Sequence, residues 1–102
     1  MEVTLGPLSW IPEGEGRTFE VGQLRLAVFR SRGGELFATQ ADCPHRGGPL
    51  ADGLLGGSTL ICPLHALKFD LKSGQSANGE CSLKTYATRL TRTGQIVVEL
   101  EA

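Results

Sequence analysis

The sequence predicts an all-β protein, an antiparallel framework carrying one insertion at roughly residues 41–71. Three observations lead there. Helix signals are scarce, and short runs rich in Val, Ile, Leu, Phe and Thr are broken at close intervals by Gly, Asn, Asp and Pro. The run Leu24-Arg25-Leu26-Ala27-Val28-Phe29 partly alternates, as a half-buried strand would. Gly33-Gly34 then separates it from a second run, a tight-hairpin signal because glycine takes positive φ without strain.

Taken in order, strands are expected at residues 3–7, 17–21, 24–30, 35–42, 59–62, 67–71, 84–92 and 95–101. A single helical turn is expected at 9–13, cut by Pro12. Ser73-Gly74 and Thr93-Gly94 mark further turns. No linker or repeat divides the 102 residues, so one domain, 1–102, is expected.

Composition excludes several functions. The net charge is −1, so no basic excess favours nucleic acid or an anionic membrane. No apolar run approaches a membrane span, and Met1-Glu2-Val3-Thr4 lacks the basic and apolar regions of a signal peptide. With three cysteines and no export signal, a reduced, cytoplasmic location is expected. There is no Ser/His/Asp set for nucleophilic catalysis and no Gly-rich nucleotide loop between a strand and a helix. No catalytic residue is assigned.

The chemistry lies in two short boxes, Cys43-Pro44-His45 and Cys62-Pro63-Leu64-His65, with the sixteen residues 46–61 between them. They contain both histidines of the chain and two of its three cysteines. Each box offers one thiolate and one imidazole, so Cys43, His45, Cys62 and His65 are the candidate ligands of a metal centre. The mixed set points to an iron–sulfur cluster with two sulfur and two nitrogen ligands, one per chain, suited to one-electron transfer. Two Cys and two His also make structural zinc sites, although those usually pair Cys with Cys and His with His. Pro44 and Pro63 stiffen each loop behind its cysteine, and Gly47-Gly48 lets the backbone come close to a cluster.

Cys43-Pro44-His45-Arg46-Gly47-Gly48-Pro49-Leu50 and Cys62-Pro63-Leu64-His65 closely resemble the two boxes of Rieske [2Fe–2S] proteins. The likeness extends to Gly34–Ala38 before the first box and Lys68–Gly74 after the second. It implies a β sandwich of antiparallel sheets with an inserted cluster-binding subdomain of two loops. It also implies that Cys43 and Cys62 bind the buried iron, and that His45 and His65 bind the outer one near the surface. Respiratory-chain members carry two further cysteines in a disulfide; here the matching positions are Gly48 and Leu64. Those members also place Ser and Tyr hydroxyls near the cluster, where this chain has Leu67 and Phe69. Hydrogen bonds to sulfur favour the more negative, reduced state, so their loss implies a low potential, on the order of −150 mV.

Two low-potential relatives fit. Asn78-Gly79-Glu80-Cys81-Ser82-Leu83-Lys84-Thr85-Tyr86 resembles the tail of the small subunit of NAD(P)H-dependent nitrite reductase, whose larger partner holds flavin and sirohaem. The alternative is a ferredoxin that links a reductase to an aromatic-ring-hydroxylating oxygenase; a zinc-stabilised binding module is the more remote reading. Cys81 reads as a small, half-buried residue rather than a fifth ligand, though Lys84 nearby leaves a reactive thiol open. Arg46 reads as a solvated loop charge or, with Lys68 and Lys72, as part of a docking face. Trp10 reads as a core or sheet-edge anchor and Tyr86 as packing.

Overall fold

The strand at Leu24–Arg30 explains the architecture. The computed structural model describes residues 1–42, 49–62, 68–76 and 82–100. In it the strands are β1 (Glu2–Pro7), β2 (Glu15–Val21), β3 (Leu24–Arg30), β4 (Leu36–Gln40), β5 (Leu54–Gly56), β6 (Thr59–Ile61), β7 (Lys68–Asp70), β8 (Thr85–Tyr86), β9 (Thr88–Leu90) and β10 (Gln95–Glu99). All the paired strands are antiparallel, in three sheets ordered β1-β10-β9, β2-β3-β4-β8 and β5-β6-β7.

Leu26 and Val28 of β3 enter one core with Ile96, Val98 and Ile11, while Ala27 and Phe29 enter another with Leu50, Leu60, Cys62 and Phe69. Alternate side chains of a strand point to opposite faces. The four-stranded sheet is therefore the middle layer, covered on both sides, and β3 is buried on both faces rather than half-buried as its alternation suggested. The expected all-β, antiparallel class is what forms, and β5-β6-β7 falls inside the segment read as an insertion.

Other expectations need adjustment. The single strand expected at 84–92 is two strands. β8 pairs with β4 and β9 with β10, and the chain changes sheet at Ala87, whose carbonyl accepts the Glu99 N–H at 2.9 Å. A twisted strand passing between layers bends at such a corner. β5 and a 3-10 turn at Leu50–Asp52 were not expected, being three residues each. The expected helical turn is a 3-10 turn at Leu8–Trp10. Gly33-Gly34 lies in a five-residue connection: Ser31 N–H donates to the Glu35 carbonyl at 2.9 Å, the Ser31 hydroxyl accepts the Glu35 N–H at 3.0 Å, and only Gly34 has positive φ.

Trp10 is 57% exposed, so it is no core residue. It lies at a sheet edge over Gly6, which sits in a bulge of β1 at φ +150°; a Cβ there would stand 2.3 Å from the indole. Gly6→Ala is expected to displace the indole and cost about 1–3 kcal/mol through strain and overpacking. A lower melting temperature with altered fluorescence of this one tryptophan is the check. Cluster absorption should not change, because Gly6 borders the core remote from Cys62.

Candidate metal centre

Of the four expected ligands, Cys62 is among the described residues; Cys43, His45 and His65 lie outside them, as do Arg46, Leu67 and Cys81. Cys62 follows directly on β6, is 1% exposed and forms no disulfide. Its neighbours in the core include Leu50, Leu60, Phe69 and Leu71. Among the described residues no three His, Cys, Asp or Glu side chains meet at one point.

The described structure shows how the two box-bearing segments are held at their bases. The first, 43–48, is closed by the antiparallel bridge Asp42↔Pro49 and by Leu50 N–H donating to the Ala41 carbonyl at 2.9 Å. The second, 63–67, is closed by the β6–β7 pair Ile61↔Lys68. Leu50, just past the first segment, packs in one core with Leu60 and Cys62, just before the second, so the two bases are neighbours. A third segment, 77–81, is closed by Gln75↔Ser82.

Gly53 sets how closely the two bases approach. A Cβ there would meet the Ile61 carbonyl oxygen at 2.5 Å, Leu60 Cδ1 at 3.0 Å and the Leu50 carbonyl oxygen at 3.2 Å. Its φ of −72° suits any residue, so lack of space is the whole constraint. Gly53→Ala is expected to cost about 1–3 kcal/mol, because backbone on both sides must yield. Gly56→Ala, where a Cβ meets nothing within 4 Å, should stay within about 0.5 kcal/mol of the parent. Thermal melts of the two variants test this.

Charges near the bases are exposed. Arg25 Nη1 lies 3.1 Å from Asp42 Oδ2, a pair worth roughly 0–1 kcal/mol. Lys68 and Lys72 are exposed, and Lys84 Nζ lies 5.5 Å from the centroid of the Tyr86 ring. Tyr86 packs against the core of Leu26 and Val28.

Residues 2–88 match the family model of the Rieske [2Fe–2S] domain. The chain belongs to the Rieske family. This Rieske domain is 34% identical over 82 residues to the ferredoxin component of a naphthalene 1,2-dioxygenase system from Pseudomonas aeruginosa, covering 78% of each chain. It is 32% identical over 88 residues to the oxygenase component of 3-ketosteroid-9-alpha-monooxygenase from Mycolicibacterium smegmatis, and there it spans 21% of the relative's length. Its fold matches a Mycobacterium tuberculosis structure provisionally described as an NADH-dependent nitrite reductase small subunit, with a TM-score of 0.91 at 22% identity, covering 100% and 96% of the two chains. As a Rieske domain it carries a [2Fe–2S] cluster and serves electron transfer. No helix among the described residues is long and apolar enough to cross a membrane.

The residues fit that cofactor. Cys62 offers a buried sulfur free of any disulfide, at the base of one of two segments whose bases are neighbours and which between them contain the other sulfur and both imidazoles. What sequence reasoning missed is Gly53, which shows as an ordinary turn glycine but stands against the Ile61 and Leu50 carbonyls.

Proposed function

We propose that Cys43, His45, Cys62 and His65 hold the cluster, and that the chain is a low-potential, one-electron carrier serving a larger redox partner. The observation that carries this is the buried Cys62 thiol at the adjoining bases of the two segments. When bound, the cluster supplies a one-electron couple. The protein's part at Cys62 is to hold the sulfur in an apolar bed of Leu50, Leu60 and Phe69, which limits solvent access to it. Cytoplasmic location and a single domain over 1–102 belong to the same reading, supported by the sequence.

The partner is an oxygenase system of the kind the naphthalene ferredoxin serves; 34% identity over most of both chains supports this. The tail Glu80-Cys81-Ser82-Leu83-Lys84-Thr85-Tyr86 supports a second reading, the small subunit of a nitrite reductase. The test is to purify the protein and assay iron, inorganic sulfide and zinc, then offer the reduced protein to an oxygenase component and to a sirohaem nitrite reductase. Equal iron and sulfide, with oxidation by the oxygenase alone, is the expected result. Oxidation by the reductase alone would establish the second reading, and colourless protein with one zinc per chain would exclude both.

A further inference from the structure

We propose that Gln40 is a positioning residue for the first ligand segment, holding the peptide that leads into Cys43. This rests on the reading of Cys43 as a ligand. β4 and β8 pair at Ala38↔Tyr86 and Thr39↔Thr85, so the next rung would join Gln40 to Lys84. Half of that rung is ordinary: the Gln40 backbone N–H donates to the Lys84 carbonyl at 3.0 Å. The other half is not. Lys84 N–H donates to Gln40 Oε1 at 2.9 Å, so the side-chain carbonyl stands in for the backbone one. The Gln40 backbone carbonyl instead accepts the Thr39 hydroxyl at 2.8 Å.

The other end of the amide serves the segment ahead. Gln40 Nε2 donates to the Asp42 carbonyl at 2.8 Å. The amide's orientation follows from its partners, since Lys84 N–H can only donate and the Asp42 carbonyl can only accept. A peptide unit is planar, so restraining the Asp42 oxygen restrains the unit that joins Asp42 to Cys43. Asp42 is also bridged to Pro49 and salt-bridged to Arg25, so the amide completes its restraint. One side chain thus ends the ladder, frees the backbone to turn and ties the entry to Cys43 to the chain leaving 77–81. Only an amide provides a donor and an acceptor side by side at this length. Glutamate keeps the acceptor alone, and methionine has no donor and only a weak thioether acceptor.

The test uses cluster-loaded Gln40→Met and Gln40→Glu, with Gln23→Met at the exposed β2–β3 turn as control. Three quantities are read: the rate at which a chelator bleaches the visible absorption, the EPR signature after reduction, and thermal unfolding. Both Gln40 variants are expected to bleach about fivefold faster, the factor that one ordinary hydrogen bond represents, and to show a changed EPR signature. Gln23→Met should match the parent. Gln40→Glu keeps the bond from Lys84, so it decides the matter should Gln40→Met not fold. A fall in melting temperature with unchanged bleaching and EPR would show a mere brace and overturn the proposal. Cys43→Ser separates the two levels. If it keeps the cluster, the ligand reading fails and this proposal with it; if it loses the cluster while both Gln40 variants behave as parent, this proposal alone fails.

Discussion

Cys62→Ser is expected to give colourless protein, with iron and sulfide lost together and the visible absorption abolished. A serine hydroxyl at this site is a poor replacement for thiolate, and the position leaves no room for a substitute ligand from solvent, since Cys62 is 1% exposed beneath Leu60 and Phe69. The loss should also reach stability. Binding energy of a metal centre is folding energy when the ligands come from separate segments. Here those segments join a shared core through Leu50 on one side and Leu60 on the other. A melting temperature below the parent's, in a protein that keeps its β-sheet circular dichroism, is the expected pattern. The core between the β1-β10-β9 sheet and the four-stranded sheet, built on Ile96, Val98 and Leu26, is separate and should survive. Cys81→Ser provides the contrast, with absorption intact. Bleaching in that variant, or colour retained in Cys62→Ser, would reassign the ligands.

Much of this was legible because the informative residues are rare. Two histidines and three cysteines in 102 residues leave few ways to build a metal centre, and both histidines follow a Cys-Pro pair. β3 was legible to the residue, since Leu24–Arg30 is bounded by turns at both ends. Its burial on both faces was less so. Alternation reports one covered face, but the unbroken run Leu26-Ala27-Val28-Phe29 fits a strand covered on both. The change of sheet at Ala87 left no mark, because a strand that passes between layers keeps its strand composition on either side of the bend. β5 was too short to show a period. Gln40 was illegible for a different reason: its importance comes from where β4 happens to end, which tertiary pairing decides and local composition does not. Gly53 belongs with it, since its neighbours are carbonyls brought there by β6 and the turn at Leu50–Asp52.

Phe69 is where stability and potential meet. Its ring is 1% exposed, pairs across the sheet with Leu60 and shares a core with Cys62. Phe69→Ala is expected to cost about 3–5 kcal/mol, the range for emptying a buried aromatic site, and to speed cluster loss, because the void opens beside the cysteine. Denaturant unfolding and chelator bleaching measure the two effects. Phe69→Tyr asks the subtler question. The parent has no hydroxyl at this position, and its midpoint is expected at the low end of the Rieske range, on the order of −150 mV. A tyrosine hydroxyl donating to sulfur would stabilise the reduced state. A hydrogen bond worth roughly 1 kcal/mol corresponds to about 40 mV for one electron, since a tenfold change in equilibrium is about 59 mV. The expected result is a midpoint about 40 mV higher in Phe69→Tyr, with little change in stability because the ring itself is kept. A parent potential well above zero would refute the low-potential reading. An unshifted midpoint in Phe69→Tyr would show that the ring's outer edge faces away from the cluster sulfur.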